Sequence, residues 1–155
     1  MKPYWLSLAE KEIGVTEVDG DGNNPRIVEY FAETKYKATQ DSVPWCAAFV
    51  SAILEWSGVP STRSTAARSY VQWGVAIEKP ILGCIVILSR GAPPAAHVGF
   101  FMYETDTELF LLGGNQRDRV CVKEYKKIDL IGYRVPTEDY WSPEKESFET
   151  NPNYS

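Results

Sequence analysis

The hydrophobic pattern of this chain changes period once, near residue 81, and that change restricts the folds open to it. Before it, the apolar residues recur at helical spacing. Residues 4–14 (YWLSLAEKEIG) put Trp5, Leu8, Ala9, Glu12 and Ile13 on one face, with Gly14 as a stop. Residues 25–34 (PRIVEYFAET) read as a second helix, with Pro25 in its first turn and Asn24 as N-cap. The segment SVPWCAAFVSAILEWSGVP predicts a third helix, capped by Asp41 or Ser42, with Pro44 in its first turn, and ended by Gly58 and Pro60. Its residues Phe49, Val50, Ile53, Leu54 and Trp56 leave almost no polar face, so it should be the buried helix. A short helix is expected in TAARSYVQWG.

After residue 81 the chain breaks into five short runs: ILGCIVIL, HVGFFMY, ELFLL, RVCVKEY and LIGYRV. Each is rich in β-branched and aromatic residues and bounded by turn residues, which predicts an antiparallel sheet of about five strands. Helices first and strands second is the α+β arrangement. A length of 155 residues suits one core. We therefore expect a single domain over residues 1–136, followed by a polar, acidic and mobile tail over 137–155.

Composition excludes several functions. The formal net charge of −5, with no basic cluster, argues against a nucleic-acid partner. The three cysteines Cys46, Cys84 and Cys121 form no CxxC and no even framework, which predicts free thiols and folding in a reducing compartment. The start MKPYWLSLAEKEIG is charged where a signal peptide would be apolar, and no run is long enough for a membrane span. Synthesis in the cytoplasm without an export signal is the expectation. The loop VDGDGNNPR lacks the closing carboxylate of a calcium loop. One histidine and three scattered cysteines cannot assemble a zinc set, so neither metal nor cofactor is expected.

The chemistry concentrates on Cys46, at the head of the buried helix, and His97, the one histidine, at the start of a strand. A free thiol is only a few per cent ionised near neutrality. Unpaired N–H groups at a helix start favour the thiolate and can also hold an oxyanion. A histidine brought against that helix start would take the thiol proton and return it to a leaving amine. Such a histidine needs a third group to fix its tautomer, and Asn115 in LLGGNQ is the first candidate, ahead of Gln116 and Glu104. Gln40 could donate to an oxyanion, and Trp45, Arg68 and Trp73 could line a groove. The plainer alternatives stay open: Cys46 as one more buried cysteine, and Asn115 as a turn residue after two glycines. Cys84 and Cys121 read as structural.

PWCAAFV, GCIVILSRG…AHVGFF, LLGGNQ and IGYRVP together resemble the CHAP and NlpC-like cysteine cell-wall hydrolases, and more closely a small single-domain subgroup of phages, prophages and toxin loci. The resemblance runs over roughly residues 4–136. It implies a papain-like core, with Cys46 as nucleophile, His97 as general base and Asn115 as the orienting residue. Many relatives carry an acidic residue where this chain has GGNQ, which blurs the role of Asn115. The implied substrate is peptidoglycan, cut in its stem peptide or at the muramoyl–L-alanine amide through a thioester. The implied setting is a monomeric phage endolysin released through a holin, or a secreted antibacterial effector with an immunity protein as partner. Two other functions fit the same residues: a catalytically silent module that binds wall peptides or a partner protein, and an acyl transferase of transglutaminase type.

Overall fold

The computed structural model describes residues 2–18, 23–36 and 44–137. The expected caps Asp41 and Ser42, the candidate Gln40 and the tail beyond residue 137 lie outside the described residues. The chain is α+β: helices α1 (Tyr4–Lys11), α2 (Pro25–Ala32) and α3 (Cys46–Trp56), a 3-10 helix (Ala67–Gln72), then strands β1 (Val75–Ile77), β2 (Ile85–Ser89), β3 (Ala96–Glu104), β4 (Glu108–Gln116), β5 (Arg119–Lys126) and β6 (Leu130–Val135). All strands pair antiparallel in one sheet of order β1-β6-β2-β3-β4-β5. The sheet has six strands rather than the expected five. The extra one, β1, is three largely exposed residues at the sheet edge, held by pairing with β6, so it carries no burial pattern for a sequence reading to find.

Helix α2 is capped as its sequence predicts, with the Asn24 side chain accepting from the Arg26 N–H and Pro25 in the first turn. Helix α3 starts differently. Its N-cap is Trp45, whose carbonyl accepts from Phe49, so Pro44 lies one residue outside the helix rather than in its first turn. Tertiary packing decides this. The Trp45 ring is fully buried, stacks on Tyr30 at 5.9 Å and donates its indole N–H to Glu17 at 2.7 Å. The other end follows the sequence: Gly58 takes a left-handed φ of 83°, and the N–H groups of Gly58 and Val59 close on the carbonyls of Glu55 and Leu54.

Residues Cys46–Leu54 of α3 are all buried, between the other helices and one face of the sheet. That face presents Ile85, Ile87, Val98, Phe100 and Leu112, while the alternate residues Val86, Leu88, Phe101, Leu109 and Leu111 form a second apolar cluster on the other face. Among the described residues no helix is long and apolar enough to cross a membrane.

Helix and sheet approach most closely at Gly114. A Cβ there would stand 2.7 Å from both the Trp45 ring and the Phe49 Cβ, so only glycine fits without movement of a rigid core. Gly114→Ala should therefore cost about 1–3 kcal/mol. Urea unfolding would report it as a lower midpoint with an unchanged slope; an unaltered midpoint would mean that α3 and β4 are not packed this closely.

Candidate functional site

Strand β3 pairs with β2 through Leu88↔His97 to Ser89↔Ala96, but with β4 only from Phe100↔Leu112 onward. The β3–β4 ladder therefore ends at Phe100, although the strands stay close: a Cβ on Gly99 would lie 3.3 Å from the Leu112 carbonyl oxygen, and one on Gly113 3.5 Å from His97 Nε2. The start of α3 packs against β4 here, with Trp45 and Phe49 against Gly114. The backbone N–H groups of Val98, and of Ala47 and Cys46 at the helix start, act on the Cys46 thiol in the direction that favours its thiolate. His97 stands on the sheet face opposite the helices, because it pairs with Leu88 and alternates with Val98. Cys46 is linked to this strand through Val98, the neighbour of His97.

His97 is 1 % exposed and Gln116 equally so. His97 Nε2 lies 2.9 Å from Gln116 Oε1. The Gln116 amide is oriented by its own N–H groups, which donate to the carbonyls of Cys121 at 2.6 Å and Leu111 at 3.2 Å. The oxygen facing His97 can only accept, so Nε2 carries the hydrogen and Nδ1 is the basic nitrogen.

The residue in contact with His97 is thus Gln116 and not Asn115. Strand β4 carries an irregularity between Gly113 and Gln116: Gly113 pairs with Cys121 and Gln116 with Arg119, three residues against two. Asn115 absorbs the extra residue with a left-handed φ of 57°. The bulge turns Gln116 back over Gly113, where a Cβ would lie 2.5 Å from Gln116 Oε1. Glu104, the weaker candidate, pairs with Lys127 at the far end of β3.

Tyr125 escaped the sequence reading. Its ring stacks on His97 at a centroid distance of 4.9 Å, with its hydroxyl 3.0 Å from Nε2. Lys123 lies over the same tyrosine ring at 4.2 Å. The available signal was the alternation of β5, which puts Cys121, Lys123 and Tyr125 on one face directly after the GGNQ bulge.

The expected groove residues do not line this site. Trp45 is core. Trp73 donates to the Pro60 carbonyl and lines a separate cavity of about 240 Å³ with Val59, Pro60, Ser61, Gly74, Pro136 and Thr137. Arg68 is half-buried in the 3-10 helix, with an Nε that has no hydrogen-bond partner. Cys84 is buried under the second cluster, where burial pushes its thiol up to about 12; Cys121 gives its S–H to the Gln116 carbonyl. Both have structural surroundings.

The protonation states differ from expectation. The helix start was expected to favour the Cys46 thiolate, but burial pushes the thiol up, against the backbone N–H of Val98, the charge of Arg90 and the N–H groups of the helix start. Burial likewise lowers His97 to about 4, against its hydrogen bond with Gln116 and with the help of Arg90 and Lys123. A helix terminus offers on the order of 1 kcal/mol, and desolvation of a fully buried charge exceeds that. The resting pair is a neutral thiol and a neutral imidazole.

No family model matches this chain, and no curated protein matches it in sequence.

An unfolded imidazole takes up its proton near 6.5, whereas folded His97 resists to about 4. Between those values the unfolded chain binds more protons, so this contribution is complete above about pH 6.5 and is lost as the pH falls to about 4. It amounts to about 3 kcal/mol in all. Urea unfolding near pH 7 and near pH 4.5 should show the loss in the wild type and a shallower one in His97→Gln; equal losses in both would contradict the burial of a neutral His97.

Proposed function

We propose that this chain is a cysteine amidase or endopeptidase of papain-like fold that cleaves an amide bond of bacterial peptidoglycan. The observation that carries the chemistry is one arrangement: a thiol in the first turn of a buried helix, held against the N–H of the residue after His97, while Gln116 fixes Nδ1 of His97 as the base. The wall substrate rests on the resemblance of PWCAAFV, AHVGFF and LLGGNQ to cell-wall hydrolases.

The reaction follows from these positions. His97 Nδ1 takes the Cys46 proton as the sulfur attacks the substrate carbonyl, and the S–C bond forms. The N–H groups at the start of α3 hold the developing oxyanion. The imidazolium gives its proton to the leaving amine as the C–N bond breaks, which leaves a thioester. Water then attacks the thioester with His97 again as base, releasing the acid and restoring the thiol. The orienting role passes from Asn115 to Gln116, with Tyr125 supporting the imidazole from its side. The enzyme would act on the wall as an endolysin or as a delivered effector.

One observation favours the silent-module alternative: Cys46 is 6 % exposed and its thiol is pushed up. Labelling separates the two. An active site should alkylate at Cys46 before Cys84 and Cys121 and lose that preference in His97→Ala; a silent module should show no preference.

Purified sacculi should release soluble muropeptides with the wild type and none with Cys46→Ala. Gln116→Ala should lower kcat by about ten- to a hundredfold, because the imidazole loses its orientation. Asn115→Gly, which suits the left-handed backbone there, should stay close to the wild type. Intact sacculi in every reaction under reducing conditions would end the hydrolase reading.

A further inference from the structure

His97 is almost wholly enclosed, and two oxygens reach one nitrogen of its ring. Gln116 Oε1 lies 2.9 Å from Nε2, and the Tyr125 hydroxyl lies 3.0 Å from the same atom. The amide oxygen can only accept, because the Gln116 N–H groups are committed to the carbonyls of Cys121 and Leu111. Nε2 therefore carries a hydrogen, and the phenol oxygen beside it accepts from that hydrogen in a three-centre bond shared with Gln116. The phenol is also fixed in place. Its ring stacks on the imidazole at a centroid distance of 4.9 Å and an interplanar angle of 26°, and the Lys123 ammonium lies 4.2 Å from the ring centroid. Lys123 and Tyr125 are alternate residues of β5, so the strand sets cation and ring together on one face. Burial pushes the phenol up, which keeps it protonated around neutrality.

We infer that Tyr125 is a positioning residue of the candidate reaction: its hydroxyl is the second acceptor of the His97 Nε2–H, and with Gln116 it holds the imidazole in the tautomer that leaves Nδ1 basic. This rests on the proposed hydrolase reading and gives Tyr125 a task within it that stacking alone does not require. When Nδ1 takes the Cys46 proton, the ring becomes cationic and its Nε2–H becomes a stronger donor. The hydrogen bonds to Gln116 and Tyr125 then strengthen together, at the moment when the imidazole must keep its place between thiol and leaving amine. Neither oxygen is basic enough to remove the Nε2 hydrogen, so the proton gained at Nδ1 stays there for the leaving amine. Tyr125 acts through His97 and touches no reacting atom itself.

His97 is the one histidine of the chain, so isotope-labelled histidine reports its ring alone. Long-range proton–nitrogen NMR near neutral pH tells a ring nitrogen that carries hydrogen from a bare one, and the wild type should show hydrogen on Nε2 and none on Nδ1. Tyr125→Phe keeps the ring and its stack and removes only the oxygen. Its Nε2–H resonance should shift, and on soluble muropeptides its kcat should fall about three- to tenfold with KM unchanged. In Gln116→Ala the phenol is the acceptor that remains, so Nε2 should still carry the hydrogen; in Gln116→Ala/Tyr125→Phe the two tautomers should mix. A tyrosine that only fills space would leave both the resonance and kcat of Tyr125→Phe as in the wild type. Hydrogen on Nδ1 in the wild type, or an unmoved Nε2–H resonance in Tyr125→Phe, would overturn the proposal. The spectra need no turnover: the expected tautomers in a protein that leaves muropeptides uncut would keep the two-acceptor assignment and remove the hydrolase reading.

Discussion

The end of the β3–β4 ladder at Phe100 is the constraint on which the candidate site depends. An antiparallel pair that continued to His97 would place the imidazole on one face of a closed sheet and Cys46 on the other, with backbone between them. Because the ladder ends there, Val98 has no β4 pair, and its N–H acts on the Cys46 thiol instead. An opening in a sheet leaves polar backbone exposed to an apolar core unless something else satisfies it. Here the start of α3 does so, with Trp45 and Phe49 wedged against Gly114. Packing and placement are therefore one event: the helix start that packs against Gly114 also carries the cysteine.

The bulge in β4 supplies the other half. Regular alternation from Gly113 would bring Asn115 to the face of His97. One extra residue, taken up by the left-handed Asn115, brings Gln116 there instead. Gln116 then satisfies its amide with the carbonyls of Leu111 and Cys121, so a polar side chain that is almost fully buried has a partner on every side. A network satisfied to this degree fixes a tautomer without a charge. A carboxylate in the same place would pull the imidazole toward its protonated form.

Much of the fold was legible because period and punctuation are local signals. The N-cap at Asn24, the stop at Gly58 and five of the six strands follow from residues within a few positions of one another. The buried helix α3 and the lone histidine strand were legible for the same reason. What the sequence concealed was decided across the fold. Trp45 replaces Pro44 at the helix start because its ring is claimed by Tyr30 and Glu17, which lie 15 and 28 positions away in the chain. Gln116 replaces Asn115 because register counts residues on two strands at once. Tyr125 and Lys123 stood in plain view as alternate residues of β5, but nothing in one strand says which neighbour its face will meet.

The neutral resting pair has one energetic cause. Moving a proton from Cys46 to His97 shifts charge within the site without adding any. Arg90 acts on both ends of that transfer with opposite consequences: it lowers the thiol, which favours the thiolate, and lowers the imidazole, which disfavours the imidazolium. In both groups burial is the larger influence.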